Sequence, residues 1–181
     1  MTVLRTVGHG TLAAEVFASL LKSADVARVV DVRSFPGSRH NPQFGREAME
    51  RWVPETGLAY SWMRELGGRR RPSRGSKHVA LRNDAFRAYA DYMETEAFVS
   101  GVDQLLMGAS GVSSAVMCSE SVWWRCHRRL LADYLVLVRG VDVAHLMHDG
   151  RLTPHAPTEG VRVERETLMY DVGITPPLPG G

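Results

Sequence analysis

The sequence predicts an α/β fold, a three-layer α/β/α arrangement around a mostly parallel, Rossmann-like sheet. Short continuous apolar runs of strand length alternate with segments whose apolar residues recur every three or four positions, with turn-forming residues between them. Strands that are apolar on both faces belong to sheets covered on both sides by crossover helices. A chain of 181 residues with 44% hydrophobic content is long enough to bury a full core and suits one such domain. The expected division is a single α/β domain over residues 1–150 and a C-terminal extension over 151–181, packing on the domain or trailing from it.

The elements follow in order. Val3 to Val7 is β-prone and stops at Gly8-His9-Gly10, after which Thr11 can cap a helix carrying Leu12, Val16, Leu20 and Leu21. Val26 to Val32 is a second strand, closed by the turn-rich stretch from Arg33 to Gly37. A helix is expected over 45–56 around Met49, Trp52 and Val53, shortened by Pro54 and with Gly57 suited to its C-terminus. Leu58 to Met63 reads as a third strand, and the run from Leu66 through Arg74 as a basic loop. Phe86, Tyr89, Ala90 and Met93, then Phe98, Val102, Leu105 and Leu106, predict two helices, or one bent helix, with a break near Thr95. Ser114 to Cys118 is a strand, Trp124 to Val138 a single strong helix, and Val141 to Met147 the last strand. Beyond Gly150 the chain becomes rich in Pro and Thr and ends in TPPLPGG, the composition of a tail or wrapping segment.

Composition narrows the function classes. A net charge of +2 demands neither nucleic acid nor a membrane surface. No run of about eighteen apolar residues occurs, and the N-terminus lacks a basic segment followed by an apolar one, so neither export nor membrane insertion is expected. Two cysteines, Cys118 and Cys126, are too few for a disulfide framework and fit no paired-CxxC zinc pattern; both are expected to be free in a reducing cytoplasm. All basic residues except Lys22 and Lys77 are arginines, whose planar fork recognises carboxylate and phosphate. Codon bias accounts for much of that excess, so meaning attaches to the arginines that sit in motifs.

Ligands of open α/β sheets bind outside the carboxyl ends of the strands. Five such ends carry Gly8-His9-Gly10, Arg33-Ser34, Arg64 through Gly68, Cys118-Ser119-Glu120 and His145. The motifs T-V-G-H-G, D-V-R-S-F-P-G-S-R at 31–39, L-G-G at 66–68, C-S-E at 118–120 and C-H-R at 126–128, in that order, resemble the domain of unknown function 488 family. The resemblance spans roughly residues 5 to 148 and departs at Gly10, where the family's first motif usually carries Ser. It implies an α/β domain with a shared polar site, and no particular reaction.

Each candidate has a structural rival. Gly8 and Gly10 around His9 suit a tight turn that presents backbone N–H groups to an anion, or a turn and nothing more. Asp31 and Arg33 fall on one strand face, so an ion pair between them competes with a ligand for the guanidinium. Glu120, two residues beyond Cys118, places a carboxylate for proton transfer beside a thiol. Cys126 and His127 fall in the first turns of the predicted helix, where its dipole favours thiolate, yet they also align with Leu130, Leu131, Tyr134 and Leu135 as packing residues. Arg125, Arg128 and Arg129 at a helix N-terminus need a compensating anion, supplied from outside or by Glu120. Trp123 and Trp124 suit base stacking or packing.

The candidate catalytic residues are therefore Cys118, Glu120, Cys126 and His127, and the candidate anion ligands His9, Arg33, Arg39 and Arg128. Arg69, Arg70, Arg71 and Arg74 form a candidate polyanion loop beside Tyr60 and Trp62. The first reading is an enzyme acting on a phosphate-bearing substrate, a nucleotide or nucleic acid, with a Cys nucleophile and Glu120 moving the proton. The alternatives are a nucleic-acid-binding module without turnover and, ranked last because its spacing matches no standard zinc pattern, a thiol redox or metal module. No metal and no membrane partner are expected, and the sequence identifies no cofactor and no oligomeric state.

Overall fold

The computed structural model describes residues 3–37, 39–71 and 73–173. Five strands are parallel: β1 (Leu4–Gly8), β2 (Arg28–Asp31), β3 (Ala59–Trp62), β4 (Ser114–Cys118) and β5 (Val143–Leu146). An antiparallel β6 (Leu152–Pro154) completes a six-stranded sheet in the order β3-β2-β4-β1-β5-β6. The helices are α1 (Ala14–Ser23), α2 (Arg46–Glu55), α3 (Asp84–Met93), α4 (Glu96–Ala109) and α5 (Arg128–Leu137).

Each face of the sheet has its own core. Phe17, Leu20 and Leu21 of α1 with Met49 and Val53 of α2 bury Val7, Val29, Ala115 and Met117 on one side. Tyr89 and Met93 of α3, Phe98, Val102 and Leu105 of α4, and Leu130, Leu131 and Leu135 of α5 cover Leu4, Val30, Val116 and Val143 on the other. The strands between are apolar on both faces because both faces are covered, giving the three-layer α/β/α fold. Strands β1 and β2 lead into helices on one side, whereas β4, which lies between them, leads into α5 on the opposite side. That reversal opens a crevice at the carboxyl end of β4.

Two helix starts differ from expectation. Thr11 does not cap α1: a turn closed by Leu12 N–H to His9 O (3.2 Å) uses it first, and the helix begins after Ala13. The continuous helix expected from Trp124 is broken. Residues Trp123–Arg125 make one 3-10 turn, Cys126 is extended (φ −119°, ψ 151°), and α5 starts after His127. Cys126 and His127 therefore precede the helix. The break expected near Thr95 is present, with the Thr95 side chain accepting from Phe98 N–H at the start of α4.

The described part of the chain after residue 150, residues 151–173, packs on the domain. Beyond β6, a hairpin of β7 (Val161–Glu164) and β8 (Thr167–Tyr170) buries Leu168, Met169 and Tyr170; the TPPLPGG end lies outside the described residues. Tyr170 donates to Asp133 Oδ2 (2.9 Å), and Asp133 Oδ1 faces His155 Nε2 (2.8 Å) and accepts from Thr158 N–H (2.9 Å). From His155 the contacts continue to His145 Nε2 (2.9 Å), whose Nδ1 meets Thr6 Oγ1 (2.6 Å). This buried polar chain ties the C-terminal segment to α5 and β1, and burial pushes the His145 imidazole down to about 3, first through desolvation. Truncating Tyr170→Ala leaves a cavity and an unmet carboxylate oxygen, so chemical denaturation is expected to register a loss on the order of 3–5 kcal/mol. An unchanged denaturation midpoint would mean that the hairpin does not carry the core.

Candidate functional site

The ladder between β1 and β4 continues past the strands. His9 N–H donates to Cys118 O (3.0 Å) and Gly10 N–H to Ser119 O (2.9 Å), so both chain ends leave the sheet together. A Cβ at position 8 would fall 1.7 Å from Glu120 O, and Gly10 has φ +55°; the G-H-G motif serves this close crossing. Above it lies a cleft of about 710 Å³. Its walls include His9, Arg33, Phe35, Arg69, Cys118, Glu120, Arg125, Cys126, His127 and His148.

On the α1/α2 side, Arg33 makes the structural pair that strand alternation allowed. Its Nε donates to Asp31 Oδ1 (2.8 Å) and one terminal nitrogen to Asp31 Oδ2 (2.6 Å), while Tyr60 OH also donates to that oxygen (2.7 Å). Both partners are buried, the guanidinium at 7% exposure, so the carboxylate neutralises it. The other terminal nitrogen donates to His9 Nε2 (3.2 Å). Because Arg only donates, His9 Nε2 is the acceptor and Nδ1 carries the proton, given to Gly10 O (2.8 Å). His9 stacks on Phe44 with centroids 4.1 Å apart. Desolvation pulls its pKa down to about 4, so the ring is neutral at pH 7.

On the α5 side the break before the helix turns Cys126 back toward Cys118. His127 Nδ1 lies 3.8 Å from Cys118 Sγ and 3.6 Å from Cys126 Sγ. The hydrogen bond from the Cys126 thiol pulls the Cys118 thiol well below its ordinary range, helped by the charges of His127 and Arg128. Burial pushes Cys126 up. Within the pair Cys118 is therefore the more acidic thiol. The L-G-G motif belongs to the same wall: a Cβ at Gly68 would meet the His127 ring at 2.4 Å, and one at Gly67 would meet Ser34 Oγ at 2.4 Å. Glycine is required at both positions so that the loop can lie against the imidazole and the β2 end.

The candidate residues separate into groups. His9, Arg33, Cys118, Glu120, Cys126, His127 and Arg69 share the cleft. Arg128 lies behind its wall at 1% exposure, donating to Val7 O and Ser121 O (3.1 Å each), and no ion pair links it to Glu120, which is exposed. The Glu120–Arg128 pairing expected from their proximity in sequence therefore does not form, because the guanidinium points under the β4 loop and the carboxylate out of it. Arg39 is exposed and lines no part of the cleft. In the basic loop, Arg70 is used structurally: it lies 3.4 Å over the Tyr92 ring and donates to the carbonyls of Arg64, Glu65 and Gly67. Ser73 and Ser76 bond to Asp91, and His78 is buried against Glu94, so the loop is pinned to α3. Arg71 and Arg74 are exposed. His145 turns away into the buried polar chain, stacked on Trp123 at 4.0 Å.

Sequence reasoning did not single out His148, whose Nε2 reaches Gly8 O (2.7 Å), or Phe35, 61% exposed at the rim. A second histidine one turn past β5 and an aromatic in the D-V-R-S-F-P stretch were the available signals. Arg125 was noticed only as a misplaced helix charge; the 3-10 turn brings it to the cleft.

A histidine held neutral by burial makes stability depend on pH in a fixed direction. Unfolded His9 protonates below about 6.5 and folded His9 only below about 4, so stability is full above pH 6.5 and falls as pH drops toward 4. The contribution is about 3 kcal/mol. Chemical denaturation at pH 7.5 and 4.5 is expected to give a smaller loss for His9→Gln than for the unaltered chain; equal losses would contradict the buried neutral ring.

Comparison with curated proteins returns no match, and comparison with solved structures returns none. Among protein families, the model described as domain of unknown function DUF488 matches residues 13–135. That match covers more than half of the 181 residues and takes in β2, β4 and the residues that wall the cleft from Arg33 to His127. The chain belongs to the domain of unknown function DUF488 family.

Proposed function

We propose that the protein is an enzyme acting on a phosphate-bearing substrate, nucleotide or nucleic acid, held in the cleft at the end of β4. One observation carries this reading: a sulfur and imidazole cluster shares a cleft with two cations, Arg69 and Arg125, that have no carboxylate partner among the described residues. Arg33 is neutralised by Asp31, so Arg69 and Arg125 are the groups left to meet an anion. They come from different elements, the β3–α3 loop and the turn before α5.

Phe35 supports a nucleotide over a bare phosphate. Its exposed ring stands at the rim with the Arg69 guanidinium 5.9 Å from its centroid, a surface on which a base can stack beside its phosphate. Among the described residues Glu120 is the one carboxylate on the cleft wall, and it is the natural proton carrier for a leaving or attacking oxygen. The reacting centre in this reading is the Cys118, Cys126 and His127 cluster, where the substrate meets groups withdrawn from bulk water.

A module that only bound nucleic acid would draw instead on the exposed basic side chains outside the cleft, Arg71, Arg74 and Lys77, and would have no use for the thiols. Calorimetric titration with a nucleoside monophosphate separates the two. Arg69→Ser with Arg125→Ser is expected to weaken binding by about tenfold or more. Glu120→Gln is expected to keep binding and lose turnover, and Arg71→Ser with Arg74→Ser to change little. Affinity that survives the first double substitution and disappears with the second would overturn the cleft reading.

A further inference from the structure

We infer that Cys118, Cys126 and His127 form a three-ligand site for a borderline-soft divalent metal ion, zinc by donor type, with the fourth position facing the cleft. The inference rests on the reading of this cluster as the reacting centre and names what the centre holds. The two edges from the imidazole nitrogen to the sulfurs fit a tetrahedral face. Zinc–sulfur bonds of about 2.3 Å and zinc–nitrogen bonds of about 2.0–2.1 Å give sulfur-to-nitrogen edges of about 3.6 Å and sulfur-to-sulfur edges of about 3.8 Å. His127 Nδ1 stands 3.6 Å from Cys126 Sγ and 3.8 Å from Cys118 Sγ, and all three ligand atoms lie within 4.8 Å of one another.

The chain holds the three donors in place without help from a ligand. Cys118 closes β4, Cys126 sits in the extended residue that interrupts the helix, and His127 is fixed between the Gly68 backbone and the Tyr89 ring, whose centroid is 5.0 Å away. All three side chains line the cleft, so a water or substrate oxygen can complete the coordination from that side. Two thiolates and an imidazole select zinc-like ions over magnesium or calcium, which prefer oxygen.

Charge supports the same assignment. Arg128 is buried and, among the described residues, has only carbonyl oxygens as partners, a placement that calls for an anion nearby. Two thiolates, one guanidinium and a divalent ion together leave the floor with a net positive charge, which suits a phosphate. A metal on Nδ1 puts the imidazole proton on Nε2, which is buried without a hydrogen-bond partner. One unmet N–H is a small loss beside a bond from metal to imidazole. The spacing of seven residues between the cysteines matches no short metal motif because a strand end and an interrupted helix, and no compact loop, deliver the ligands.

Cobalt(II) titration of the chelator-treated full chain tests the inference. One equivalent is expected to give the intense visible bands of a tetrahedral ion and near-ultraviolet thiolate-to-cobalt charge transfer, both removed by zinc. Cys118→Ser and Cys126→Ser should each lower the charge-transfer intensity by about half, and His127→Ala should shift the visible bands. Circular dichroism of each variant, and protection of both thiols from alkylation by zinc in the unaltered chain, separate loss of ligands from loss of fold. Weak octahedral bands unaffected by the cysteine substitutions, or thiols that zinc does not protect, would overturn the metal site. Nucleotide binding that persists without metal would leave the cleft reading standing alone, whereas tetrahedral cobalt with no nucleotide affinity would remove that reading and keep the metal.

Discussion

The guanidinium of Arg128, buried to 1% exposure behind the end of β4, is the constraint around which the cleft is arranged. Its two hydrogen bonds join Val7 of β1 to Ser121 of the loop after β4, so one side chain from the first turn of α5 fixes three elements relative to one another. Gly8 is required for the same reason, since a side chain there would run into the Glu120 carbonyl and the Arg128 fork. Burying a cation with carbonyl partners alone is unfavourable unless negative charge stands close by. The Cys118 thiol, its pKa lowered first by the hydrogen bond from Cys126 and also by the Arg128 charge, is the nearest group able to supply it.

The two walls of the cleft handle charge in opposite ways. On the side of α1 and α2, Arg33 is satisfied internally by Asp31, and His9 is held neutral with a defined tautomer, so this wall is a rigid hydrogen-bonding surface with no free charge. On the side of α5, the thiols and His127 lack fully satisfying partners within the chain: their contacts are long, and His127 Nε2 has no partner. Polar groups left incompletely satisfied while buried mark a site arranged for something other than the fold. In the proposed function the satisfied wall is the one that positions a substrate, and the unsatisfied one the one that reacts with it.

Much of the fold was legible because the central strands are apolar on both faces: Val29 and Val30, or Ala115 and Val116, announce a covered sheet without reference to any partner. The last three strands were not legible. Leu152–Pro154 and most of Val161–Glu164 are exposed and carry no apolar run, so only their pairing defines them. The site was legible as far as strand ends could locate it, which placed His9, Arg33, Cys118 and Glu120 at one edge. Sequence could not say which way a guanidinium points, so Arg128 read as an anion ligand when it is a brace. Helical spacing ran unbroken through Trp124, Cys126 and His127, hiding the extended residue that brings the two sulfurs together.

In the proposed function the anionic substrate binds in the cleft over β4, with the sulfur and imidazole cluster at its floor. A crystal structure of the full chain soaked with a nucleoside monophosphate tests it most directly. The account predicts the phosphate between Arg69 and Arg125, facing Cys118 and His127, with the base against Phe35. A nucleotide bound only along Arg71 and Arg74, with the cleft holding water alone, would contradict it.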